Sequence, residues 1–113
     1  MLRIEAHTHD NVTILKLSGL LTSGIGCQSL AQHVKQMAAA GPPRVLVQLN
    51  DVSLIDSAGV GELISSFTSV KKSGGVLKVC GANERVGEVL RIVRLPVIID
   101  VYAGEAEALA SFA

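Results

Sequence analysis

The sequence predicts an α/β fold: one domain with a mixed sheet of about five strands, an opening hairpin and then alternating helices, about four helices in all. Three observations predict it. Of the 113 residues 49% are hydrophobic and only 3% aromatic, so the apolar mass is Val, Leu, Ile and Ala, which suits helices packed on a buried sheet. Short stretches of alternating or continuous apolar residues take turns with stretches of three- and four-residue spacing. Gly41-Pro42-Pro43, Gly74-Gly75 and Pro96 fall between these stretches as chain breaks. The length suits one domain with its own core, taken as residues 1–113.

Each element follows in order. Residues 3–9 (RIEAHTH) alternate apolar and polar, the pattern of a half-buried strand. Residues 9–11 (HDN) read as a tight turn, and 12–18 (VTILKLS) as the second strand of a hairpin, ended by Gly19. Residues 23–40 read as a helix with Leu30, Val34 and Met37 on one stripe; Gly24 and Gly26 weaken its start, and Gly41-Pro42-Pro43 stops it. The short apolar run 44–49 (RVLVQL) favours a buried strand. Val60, Leu63, Ile64, Phe67 and Val70 then mark the inward face of a helix running to about Ser73, with Ser65, Ser66, Thr68 and Ser69 as its polar side. Gly74-Gly75 caps that helix, and Lys71 and Lys72 favour its dipole. Residues 76–80 (VLKVC) read as a strand, 83–93 as a third amphipathic helix stopping before Pro96, 97–102 (VIIDVY) as a fifth strand, and 105–112 (EAEALASF) as a closing helix with acids in its first turn. The order β-β-α-β-α-β-α-β-α implies strands that are mostly parallel after the hairpin.

Composition excludes several functions. Lys plus Arg and Asp plus Glu number 10 each, so no basic excess draws nucleic acid or an anionic membrane. With no Trp and one Tyr, base stacking is poorly served. Arg85, Arg91 and Arg94 read as a solvated helix face, diluted by Glu84 and Glu88. Cys27 and Cys80 lack metal-ligand spacing and read as packing thiols. His7, His9 and Asp10 place two histidines on one strand face, too few ligands for zinc. No motif calls for a cofactor. No signal core opens the chain, and VLRIVRLPVII is cut by two arginines and a proline, so a soluble, cytoplasmic protein without membrane insertion is expected.

The stretch 53–63 (SLIDSAGVGEL) carries the functional signal. Ser57, between a strand and a helix, suits an N-cap, and so does Asp56. Capping leaves Gly59 and Gly61 unexplained, since each costs about 1 kcal/mol against alanine inside a helix. Bare backbone there suits the close approach of a partner or an anion. A nucleophilic serine finds little support: Ile55 stands where the G-x-S-x-G elbow has its first glycine, and nothing ties His7, His9 or His33 to Ser57 as a base. A phosphate acceptor fits better. The helix start favours a dianion, Asp56 and Asp51 oppose it, and the net effect on folding is small, while a partner covering that surface would meet an unpaired charge.

The run Asp56-Ser57-Ala58-Gly59-Val60-Gly61 resembles the motif of the STAS-domain family, whose best-known members are bacterial anti-sigma factor antagonists. Gly74-Gly75-Val76-Leu77 and Glu107-Ala108-Leu109 match two further family segments, and the element order agrees over almost the whole chain. The resemblance implies phosphorylation of Ser57 by a cognate anti-sigma factor that is itself a serine kinase, release of a sigma factor while unphosphorylated, and resetting by a phosphatase. It implies a binding module without catalysis. Asp56, Ala58, Gly59, Gly61, Glu62, Thr22 and Ser23 are the expected partner-binding residues. Family members often carry G-x-L-D after the second strand, where this chain has Gly19-Leu20-Leu21-Thr22. That departure leaves open a STAS scaffold or a lipid- or anion-transport subunit without phosphorylation.

Overall fold

The opening hairpin forms from β1 (Leu2–His9) and β2 (Val12–Leu21), antiparallel, with His9 opposite Val12. Asp10 and Asn11 turn the chain with φ of 48° and 68°, the positive values of a tight two-residue hairpin, which Asp and Asn tolerate. These details come from a computed structural model that describes residues 2 to 112. The chain continues through α1 (Ile25–Ala39), β3 (Arg44–Ile55), α2 (Ser57–Lys72), β4 (Val76–Cys80), α3 (Glu84–Ile92), β5 (Val101–Tyr102) and α4 (Glu105–Ala110). The strands lie in the order β1-β2-β3-β4-β5, and every pair after the hairpin is parallel.

The core has two parts because the sheet has two faces. On one face α1, α2 and α3 bury Leu15, Leu17, Val45, Val47, Leu49 and Val79 beneath Leu30, Val34, Leu63, Val70, Val86 and Leu90. Full burial of each such side chain contributes roughly 1.5–3 kcal/mol before chain entropy opposes it. The other face has a smaller cluster, in which Ala108 and Phe112 cover Val12, Ile14, Leu46 and Cys80. Two cations hold the end of α4 there. Arg44 donates to the Phe112 carbonyl, and Lys78 Nζ donates to the Ser111 carbonyl and hydroxyl at 3.0 and 2.9 Å. Gln48 Nε2 donates to Glu105 Oε1 at 2.7 Å at the helix start.

Four expectations are corrected. Gly19 does not end β2. It adopts φ 101° beside a register shift, and the strand bends there and runs on to Leu21. The third strand extends to Ile55 rather than 49, because the bent end of β2 supplies pairing partners as far as Ile55. Residues 97–102 are mostly not a strand. Arg94 enters the left-handed region at φ 59°, Leu95–Val97 make a single 3-10 turn around Pro96, and only Val101 and Tyr102 pair with β4. Finally, Ser66 does not belong to the polar side of α2. It is 2% exposed and donates its hydroxyl to Glu62 Oε2 at 2.8 Å, while Phe67 is only partly buried.

The close of α2 is as expected. Gly74, at φ 85°, donates to Lys71 O at 3.0 Å and Gly75 donates to Val70 O at 2.9 Å, the paired bonds of a glycine-terminated helix.

Candidate functional site

Ser57 is the first residue of α2 and is exposed. Of the two possible caps the structure uses Asp56. Its Oδ1 accepts from Gly59 N at 2.9 Å and its Oδ2 from Ser23 N at 3.3 Å. One carboxylate thus closes the first turn of α2 and ties it to the chain leaving β2. The Gly59 amide, with further help from Ser23, holds the Asp56 carboxyl below its ordinary value, against the opposing effect of desolvation. Ser57 is released from capping, with its hydroxyl on the outside.

The sign of that shift fixes a pH dependence. A carboxyl that is more acidic in the folded state stabilises fully above the ordinary aspartate value, about 3.9, and loses the effect as pH falls through the folded value. Asp56→Asn keeps one acceptor but must present an amide to either Gly59 or Ser23. Urea melts of the two proteins are expected to show a gap favouring aspartate, flat above about pH 5 and closing below about pH 4. A gap that persists unchanged in acid would mean that charge plays no part in the cap.

The two glycines of the motif have different jobs. Gly59 is buried, and a Cβ on it would collide with the carbonyl of Leu21 and lie 2.8 Å from Ile55 Cγ1. The chain's own β2 occupies the bare backbone there, so Gly59 is corrected from a partner-binding residue to a packing one. Gly61 is exposed, with nothing within 4 Å of an added Cβ. Ala58 is exposed beside it, and Glu62 is partly buried by its bond to Ser66.

Thr22 and Ser23 join the same end of the sheet. Ser23 reaches Asp56 through its amide, and Thr22 O accepts from Cys27 Sγ at 3.0 Å. Burial first, then the carboxylates of Glu62 and Asp56, push the Cys27 thiol up. Burial next to Glu105 pushes the Cys80 thiol up to about 11. Both cysteines are free thiols.

Sequence reasoning missed an apolar border to this surface. Leu20 and Leu54 are register partners, 38% and 43% exposed, and Ile25 at the start of α1 is 77% exposed. A shallow groove of about 250 Å³ links Leu2, Leu20, Thr22, Ser23 and Ile25. The available signal was Leu20 and Leu54 themselves, apolar residues beyond the expected ends of their strands.

His7 and His9 are not brought to Ser57. His9 stands at the hairpin turn, the opposite end of the sheet from the close of β3, with His7 two residues away. Among the described residues no three His, Cys, Asp or Glu side chains cluster as a metal site, and no helix is long and apolar enough to cross a membrane. A 690 Å³ groove lies away from Ser57, between the hairpin and α4, lined by residues including His9, Val12, Arg44 and Phe112.

The chain is thus a mixed sheet entered through a hairpin and parallel thereafter, with a capped serine-glycine turn at the exposed start of its second helix. The STAS domain model matches residues 3–108, and the chain belongs to that family. The anti-sigma F factor antagonist of Paenibacillus polymyxa is 27% identical over 108 residues, 96% of this chain and 92% of that protein. The anti-sigma-B factor antagonist of Bacillus subtilis is 44% identical over 55 residues, 49% of this chain and 50% of that protein. Among solved structures, the Thermotoga maritima protein TM1081 superposes with a TM-score of 0.87 at 26% identity, covering 96% of this chain and 92% of that one.

Proposed function

We propose that this chain is an anti-sigma factor antagonist of the partner-switching kind, acting in the cytoplasm. Unphosphorylated, it binds a cognate anti-sigma factor that is itself a serine kinase, and a sigma factor is set free. Phosphorylation of Ser57 ends the binding, and a phosphoserine phosphatase restores it. The domain is the substrate of that chemistry and performs none of its own. The partner surface comprises Asp56, Ala58, Gly61, Glu62, Thr22 and Ser23, with Leu20, Ile25 and Leu54 as its apolar border.

The observation that carries the proposal is the exposed Ser57 at the helix start, relieved of capping by Asp56. Incubation with ATP and the candidate kinases of the same genome, followed by tryptic mass spectrometry, is expected to place a single phosphate on Ser57. A phosphate on Ser53, Ser65 or Ser66 instead would overturn the assignment. The threonine at position 22, where relatives often have an acid, favours a second reading: a scaffold or transport-complex STAS subunit that is never phosphorylated. A chain that binds its partner yet takes phosphate from no kinase would establish that reading.

A further inference from the structure

We propose that the chain forms a weak symmetric dimer by pairing β1 with β1 of a second copy, antiparallel, with Ile4 opposite Ile4 at the two-fold axis. The sheet has two edges, and they differ. The β5 edge offers two residues, between the turn around Pro96 and Gly104. The β1 edge offers eight, paired to β2 in unbroken register, with no proline, lysine or bulge among them. Edge strands are normally blunted by such devices or by charged side chains, because their free N–H and C=O groups template further pairing; the charges of this edge, Arg3 and Glu5, are of opposite sign and two residues apart.

The side chains choose the occupant and the register. A two-fold axis perpendicular to the sheet keeps each face on its own side, so a residue can oppose only residues an even number away. Leu2, Ile4 and Ala6 lie on the helix-covered face, opposite Gly19, Leu17 and Leu15, whereas Arg3 and Glu5 lie on the other, opposite Ser18 and Lys16. Centring the axis on Ile4 sets Arg3 against Glu5 of the second copy, twice by symmetry, and Leu2 against Ala6. Centring it on Arg3 or on Glu5 opposes like charges directly, which disfavours pairing. Centring it on Ala6 sets Glu5 against His7, but also Arg3 against His9 and Ile4 against Thr8, so Arg3 meets no carboxylate and Ile4 no apolar side chain. The opposite charges two residues apart make the strand complementary to itself in one register. By strand spacing the two copies of β3, each leading to a Ser57, lie about 24 Å apart across the joined sheet.

The contact is narrow and lacks the area of a standard interface, so dissociation is expected in the upper micromolar range. Sedimentation equilibrium of the full chain from about 10 µM to about 1 mM is expected to show the mass rising from 11.8 kDa toward twice that value. Arg3→Glu and Glu5→Arg should each weaken the dimer at least tenfold, and the double exchange should restore it to within about threefold of the native chain. Both residues are exposed. Any cost of placing arginine opposite Lys16 is shared by Glu5→Arg and the double exchange, so recovery reports on the second copy alone. A chain monomeric throughout that range, or a double exchange no better than the worse single one, overturns the proposal.

Discussion

Ser57→Asp is expected to bind the anti-sigma factor at least about tenfold more weakly than the native domain, a loss of 1.4 kcal/mol, while melting within a few degrees of it. The two halves of that result have separate causes. In the free domain a negative charge on residue 57 gains from the helix dipole, typically 0.3–1 kcal/mol, and loses to repulsion from Asp56. It gains little from first-turn amides, because Asp56 already holds the Gly59 amide. The added charge therefore stays in water and the fold hardly registers it. A partner seated on Ala58, Gly61 and the Leu20–Leu54 pair would strip that water away, and an unpaired charge in such a contact costs several kcal/mol. A true phosphoserine, with about −1.5 to −2 charges, should weaken binding further than aspartate. Ser57→Ala adds no charge and should bind while resisting inactivation by the kinase. Titration calorimetry on the three forms decides the matter, and equal affinity of the phosphorylated and unmodified domains would sink the electrostatic switch.

Gly59→Ala should destabilise the domain by about 3 kcal/mol or more, against the helix propensity that ordinarily favours alanine over glycine by about 1 kcal/mol. The collision is with backbone, the Leu21 carbonyl, and relief requires α2 to lift from β2. Gly61→Ala, two residues on, meets open space and should stabilise by up to about 1 kcal/mol. Urea denaturation of the two variants is the check. Opposite signs are expected; two similar small gains would mean that α2 does not press on β2 at this point. The Gly61 variant also probes how closely the partner approaches, because it adds a methyl group to the exposed side without harming the fold.

The glycine pair shows how much of the site was legible. In sequence the two residues look alike, and both suit the close approach of a partner. Yet Gly59, Leu63, Ser66 and Val70 follow one another at intervals of four, three and four, a single helical stripe, and all four are buried. The spacing that placed Leu63 inward could have placed Gly59 and Ser66 there too. Chemistry groups the serine with its polar neighbours instead. The order and types of the elements were readable because their periodicities are strong and their breaks are glycines and prolines. The bent ends of β2 and β3 were not, since strand pairing is decided between distant segments. In β3 only Val52 and Ile55 are buried after Leu49, an interval of three that imitates a loop. At 97–102 the run of β-branched residues reads as strand, but Ile99 fills the core while Val97 and Ile98 stay exposed. Choosing between Asp56 and Ser57 as cap needed the position of Ser23, which lies 33 residues away from Asp56 in sequence.

The small cluster beneath α4 is the part of the fold expected to open first. Among the described residues, the short helix α4, Phe112, Tyr102 and the hydrogen bonds of Arg44, Lys78 and Gln48 screen this side of the sheet around Cys80. A unit of this size is expected to detach and return before the three-helix side unfolds. While it is attached, Cys80 is protonated and shielded; once it is off, the thiol meets water, loses Glu105 as a neighbour and drops toward ordinary acidity. The labelling rate of Cys80 by a thiol reagent is therefore expected to follow openings of this segment, with the slower collapse of the whole chain as background, and Lys78→Met should raise it.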